Sequence, residues 1–273
     1  MKYIYFFFLV IFGFSAFGQK KQYYDENFKM ISHEAYKEKC KGHLYKCFEY
    51  KTDSFAINKI LIKYKFGKLD SVAYQQVRNL LIRDSSSDIP EQSTLVIKYY
   101  DSIFGFETEN KKYTIHERKH LESEKDTSIV INYHEFYFNK EIFNTNRQKW
   151  VDNRKKCLKK FDGKYNTKIF HMYKHKDIDT EEYNNFEWIG DKGTFKNVFF
   201  QIMYNYGLVI LKPNGEYFLS GGHLSDKSFN KLIKNSNWLK YQNDLHKSLT
   251  SHNVYGKGMF SKDVVTHKNK HCF

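Results

Sequence analysis

The sequence predicts an α/β fold. Three observations carry this: β-branched apolar runs alternate with segments whose apolar residues recur at helical spacing, an Asn-Gly pair (Asn214, Gly215) sits between two apolar runs, and a helical pattern follows at once. Composition agrees that the chain folds. At 41% hydrophobic and 28% charged, with 14 Gly and 2 Pro in 273 residues, it is excluded from disordered, collagen-like and low-complexity classes. Its 25 Phe, 22 Tyr and 3 Trp predict a core of packed rings whose hydroxyl and indole groups need partners. The formal charge of +14 invites an acidic partner. Lysines alternate with acids through most of the chain, however, and no recognition module is visible, so a solvated basic face is expected and no nucleic-acid partner.

Residues 1–18 place Lys2 before an unbroken apolar run, Tyr3 to Phe14, and then the small residues Ser15, Ala16 and Gly18. This is the layout of a secretory signal peptide cleaved after Gly18, and the run is shorter than the roughly 20 residues of a spanning helix. The protein is therefore expected to be exported, periplasmic or secreted, with no transmembrane segment in the mature chain. Residues 19–105 read as an N-terminal β-α-β module. A helix is expected around His33 to Lys39, then the strand INKILIKYKFGKLD, the helix DSVAYQQVRNLLIRDSSS and the strand STLVIKYYDSIFGF. That helix has Asp70 or Ser71 as its cap and Val72, Val77, Leu80 and Leu81 at helical spacing; Ser85 to Asp88, with Pro90 beyond, end it.

Residues 106–250 read as a second unit. TSIVINYHEFYF is its first strand, residues 144–161 a helix with Trp150, Val151, Leu158 and Phe161 on one face, and KIFHMYKH the next strand. A loop with Trp188 and a helical stretch lead to the hairpin GLVILKPNGEYFLSGG. The helix SDKSFNKLIKN, capped by Ser225, comes last with Phe229, Leu232 and Ile233 inward. Residues 251–273 form a C-terminal tail.

Export bears on the four cysteines, because disulfides persist outside the cytosol. Cys40 and Cys47 lie close in EKCKGHLYKCFEY, where Gly42 allows a bend, so a local disulfide between them is possible. Cys157 and Cys272 lie far apart in sequence, and spacing leaves their state open.

The order of elements, with SIVINYHEFY, KIFHMYKH and LVILKPNGEYFLSGGHLSDKSFNKLI, resembles the thioredoxin-like fold in its exported bacterial branch, over about residues 106–237. The resemblance implies a three-layer domain preceded by the smaller β-α-β module. It also implies a Cys-x-x-Cys pair after the first core strand, and a cis-proline before the closing hairpin. Here Phe138, Asn139, Lys140 and Glu141 stand at the first place and Tyr206 or Gly207 at the second. Cys157 lies too far along its helix to substitute. The expectation is a binding or scaffold protein without redox cysteines, working with another envelope protein through the edge formed by His134, Phe138, Asn139, Lys140, Glu141 and Tyr206.

Two other readings belong to different classes. His116, Glu117 and His120 match H-E-x-x-H, the zinc-hydrolase pattern, but Arg118, Lys119 and the charged flanks read as a solvated surface. A thiol-disulfide function through Cys40 and Cys47 is the other. His171 and His175 share a strand face but lie too far apart to chelate one ion, and His223 falls on a Gly-rich bend. No catalytic set, metal or cofactor is assigned.

Overall fold

The computed structural model describes residues 20–52, 55–85, 87–109, 139–176, 186–200, 206–222, 224–250, 256–262 and 272. The leader expected at 1–18, the strand expected at 127–138 and most of the tail lie outside them. Among the described residues, no helix is long and apolar enough to cross a membrane.

The chain is mixed α/β with two sheets. The smaller has the order β1 (Lys20–Tyr24), β3 (Phe55–Ile62), β2 (Tyr45–Lys51), with β1 parallel and β2 antiparallel to β3. Helix α1 (His33–Cys40) lies against it. Ser32 caps this helix by accepting from the Ala35 N–H at 3.2 Å, and Tyr23 stacks on His33 at 4.8 Å. Cys40 at the end of α1 is joined to Cys47 on β2.

The larger sheet runs β4 (Tyr64–Lys68), β9 (Glu216–Ser220), β8 (Tyr206–Leu211), β5 (Thr94–Ile103), β6 (Thr167–Lys176), β7 (Ile189–Gly190). Strands β5, β6 and β7 are parallel, and every other neighbouring pair is antiparallel. Two expectations change here. The run INKILIKYKFGKLD is not one strand but two, broken at Lys63. The Lys63 N–H donates to Leu44 O and its carbonyl accepts from the Gly221 N–H, so one residue faces two different neighbours and the chain passes from the small sheet to the large one. Strand β4 then reaches β5 through three antiparallel steps and runs opposite to it. With helix α2 (Ser71–Ser85) between them, these strands form no parallel β-α-β crossover. Strand β5 is instead central, with β6 on one side and β8 on the other, so the large sheet draws strands from both sides of residue 105.

Helices cover both faces. Along β5 the side chains alternate. Leu95, Ile97 and Tyr99 enter a core with Tyr74, Val77 and Leu81 of α2 and with Phe195 and Phe199 of α4 (Thr194–Phe199). Val96 enters the opposite core, with Phe161 of α3 (Lys140–Phe161), Phe229, Leu232 and Ile233 of α5 (Asp226–Lys234), and Leu245 of α6 (Leu239–Thr250). Asp70 starts α2 by accepting from the Ala73 N–H at 2.7 Å; Val72, expected on the inner face, is exposed, and Tyr74 takes that role. The hairpin between β8 and β9 turns at Asn214 and Gly215 as expected. Gly215 has φ +82°, and a Cβ there would lie 2.4 Å from Leu69 O, so glycine is needed on both counts.

Candidate functional site

Helix α3 begins at Lys140, four residues before the expected start, because Asn139 caps it. The Asn139 carboxamide oxygen accepts from the N–H groups of Glu141 at 2.8 Å and Ile142 at 3.2 Å. Asn139, Lys140 and Glu141 are exposed in its first turn. Tyr206 opens β8 as the register partner of Tyr100 on β5. His134, Phe138, His116 and His120 lie outside the described residues, as does His223. His171 and His175 divide as expected in kind: His175 is exposed near the end of β6, while His171 is buried. Among the described residues, no three His, Cys, Asp or Glu side chains are grouped to hold a metal ion.

The structure brings a different set together. Strands β5 and β6 are paired so that Lys98 lies opposite His171 and Tyr100 opposite Tyr173. Partners directly opposite project to one face, the face away from Leu95, Ile97 and Tyr99. Lys98 and His171 are only 4% and 3% exposed and form a floor. Around them stand rings that are half-buried: Tyr100, Tyr173, Trp150 on α3 and Trp188 just before β7. Trp150 and Trp188 are parallel, 5.8 Å apart, and Tyr100 meets them edge-on at 5.8 and 5.3 Å. Phe186 presses its edge on the His171 ring at 4.7 Å.

Arg154 completes the cluster one turn after Trp150, with its guanidinium 5.2 Å from the Trp150 ring centre. Its position depends on the distant C-terminus. Arg154 Nη1 donates to the Cys272 carbonyl, and Cys272 is disulfide-bonded to Cys157 of α3. The Cys272 N–H in turn donates to Asp226 at 2.9 Å, and Asp226 also accepts from Lys160 at 2.7 Å. The pairing left open by sequence spacing thus clips residue 272 beside α3 and α5.

The electrostatics follow from the burial. Burial pushes the Lys98 amine down to about 7, and the Arg154 guanidinium adds to the effect. Burial likewise holds His171 well below its usual range, with Arg154 and then Lys98 adding repulsion. His171 Nδ1 meets the Tyr100 hydroxyl at 3.4 Å; when that hydroxyl donates, the proton of the neutral ring sits on Nε2. Nε2 of His171 and Nε of Arg154 are both buried without a hydrogen-bond partner. Among the described residues, no carboxylate is bonded to either side chain.

Two other buried polar groups, Asp191 and Lys212, are hydrogen-bonded and read as structural. Asp191 accepts from the Tyr99 hydroxyl at 2.8 Å and from the N–H groups of Gly193, Phe195 and Lys196, which fixes the start of α4. Lys212 donates to Glu216 at 3.0 Å and to Ser236 O, and lies 3.7 Å over the Trp238 ring. It borders a groove of about 440 Å³ with Gln92, Thr94, Asn214 and Lys234.

Sequence reasoning missed Lys98, Arg154 and Trp188. One signal was present, a lysine in the middle of the apolar run LVIKYY, where a fully covered strand has no room for an unmanaged charge. Scans against protein-family models, characterised proteins and solved structures find no match to this chain.

Proposed function

We propose that the chain is an exported binding protein with a thioredoxin-like arrangement and no thiol chemistry. The observation that carries the reading is the sheet order β6, β5, β8, β9, with α3 between the parallel strands and α5 after the hairpin. It supports a thioredoxin-like plan in which β5 is the first core strand, a place that the sequence alone suggested for residues 127–138. In redox members of that family the reactive pair stands at the start of the following helix, where the helix N-terminus favours a thiolate. Neither residues 104–109, where the chain leaves β5 and turns helical, nor Asn139 to Ile142 at the start of α3 include a cysteine. Cys40 and Cys47 belong to the small sheet, and Cys157 lies in the last turns of α3, bonded to Cys272.

Export is supported by the layout of residues 1–18 and by the pairing of all four cysteines, since disulfides are kept where the surroundings are oxidising. The surface for a partner, another envelope protein, is the exposed start of α3 together with the neighbouring ring cluster. The test is reduction of insulin disulfides in the presence of dithiothreitol. The full chain is expected to leave the uncatalysed rate unchanged; acceleration of the order given by an ordinary thioredoxin overturns the proposal.

A further inference from the structure

We propose that the face of the small sheet turned away from α1 is a docking surface for an anionic lipid bilayer. The inference goes beyond the reading above and does not depend on it, since the small sheet shares no strand with the large one. Register decides which residues share this face. Cys47 is bonded to α1 and Tyr23 stacks on it, so these two and the residues opposite them, Ile60 and Asn58, turn toward the helix. Alternation then sends Tyr24 of β1, Phe48 and Tyr50 of β2, and Phe55, Ile57 and Lys59 of β3 to the other side. The antiparallel bridge between Tyr24 and Met30 adds Met30 to that side, and the Lys59 ammonium lies over the Phe28 ring.

Eight large hydrophobic residues are exposed among the described residues, and four of them, Phe28, Met30, Tyr50 and Phe55, gather here. Phe28 carries the argument furthest. It is 67% exposed and has φ +63°, a backbone conformation that suits glycine or asparagine and strains a bulky side chain. The turn holds it there: the Asp25 carboxylate accepts from the N–H groups of Asn27 and Lys29 at 2.9 Å each, and the Phe28 N–H donates to Asp25 O at 3.1 Å. A ring held outward at a cost to the backbone, with little burial in return, is displayed for something outside the fold.

Charge selects the partner. Glu49, the one carboxylate within the three strands, falls on the α1 side opposite Asn58, whereas Lys46 and Lys59 stand on the other face and Lys29 is exposed on the turn. A second copy would set these lysines against their own kind across a two-fold axis, which disfavours self-pairing. A folded protein partner needs a shaped pocket for each anchor. A bilayer interface needs only rings and a thioether at one level, with lysine stems lying along them and ammonium groups reaching lipid phosphates.

The probe is vesicles of phosphatidylglycerol mixed with phosphatidylcholine, against phosphatidylcholine alone, in a co-sedimentation titration. The chain is used from Gln19, its expected mature start, because the apolar run Tyr3 to Phe14 enters bilayers by itself. Binding to the anionic vesicles is expected to be at least about tenfold tighter than to the neutral ones and to weaken with added salt. Phe28→Gly should lose about tenfold while the protein still melts near the parent temperature, because glycine suits the positive φ. Lys59→Gln should lose about fivefold on the anionic vesicles alone. Absent binding to anionic vesicles, equal binding to both kinds, or full affinity in Phe28→Gly overturns the proposal. So does a lipid-free dimer that Phe28→Gly dissociates, which assigns the face to a second copy, or polyglutamate bound more tightly than the vesicles, which assigns it to an acidic protein. Insulin reduction bears only on the reading above and leaves these outcomes untouched.

Discussion

Lys98 is the group whose environment departs furthest from that of an ordinary lysine, and its replacement has a calculable signature. An amine whose native value falls from 10.5 to about 7 binds fewer protons folded than unfolded between those limits. Stability contributed by this residue therefore rises with pH across that window, and below about pH 7 the full penalty is present. Each pH unit corresponds to about 1.4 kcal/mol, which puts the penalty near roughly 4 kcal/mol at pH 7 and about 1.5 kcal/mol at pH 9.5. In Lys98→Met the penalty is gone and the volume is kept. The variant is thus expected to be more stable than the parent at pH 7, with the gap closing by about 3 kcal/mol as pH is raised to 9.5. Urea unfolding of both proteins at half-unit pH steps measures this directly, and the difference cancels the other titrating groups they share. Stability curves that run parallel across pH 7 to 9.5 would refute the burial argument for Lys98.

Further outcomes follow from the same geometry. Phe229→Ala removes a fully buried ring that meets Phe161 edge-on at 4.9 Å and should cost about 3–5 kcal/mol in chemical unfolding, with a cost under about 1 kcal/mol contradicting its place in the core. Gly215→Ala, which forces a Cβ against Leu69 O at φ +82°, should lower stability by roughly 1–3 kcal/mol, whereas Gly163→Ala, at φ +74° with nothing within 4 Å, should cost less; equal losses in thermal melts would remove the contact argument. Replacing both Cys157 and Cys272 by Ser opens a loop of sequence separation 115 and should cost about 2–5 kcal/mol while leaving insulin unreduced, and thiol titration of the unfolded parent should find no free thiol before reduction.

Much of the local structure was legible in the sequence because local chemistry decides it. Asp70, Ser225 and the Asn214–Gly215 turn act through neighbours within a few residues, so α2, α5 and the hairpin fell where their caps and turn residues placed them. Strand partnership was less legible, for a physical reason. The apolar run from Leu95 to Ile97 is compatible with any fully covered strand, and nothing local says whether its neighbour is Phe170 or Ile57. That ambiguity placed β5 in an N-terminal module, when its two neighbours lie more than 70 residues away in sequence. The break at Lys63 was equally hidden, since it is made by backbone bonds to Leu44 and Gly221. The candidate site shares this character. Lys98, Arg154 and His171 come from three elements, and only parallel pairing under α3 joins them. Trp150 was expected inward and is half-buried among the site's rings, but its parallel partner Trp188 sits in a loop with no periodic signal at all.

The proposed function depends on β5 being the middle of the large sheet, because the start of α3, the floor of the site and the place of the missing thiols are all located from it. Native-state hydrogen exchange measures that placement most directly. Residues Leu95 to Tyr100 are paired on both sides, with β6 and with β8, so the protected amides of this segment should be among the slowest in the chain and open only with global unfolding. Strand β2, an edge of the small sheet, should exchange much faster. If the amides of Leu95 to Tyr100 exchange as fast as those of β2, β5 is not central, and the account of the fold and its site is contradicted.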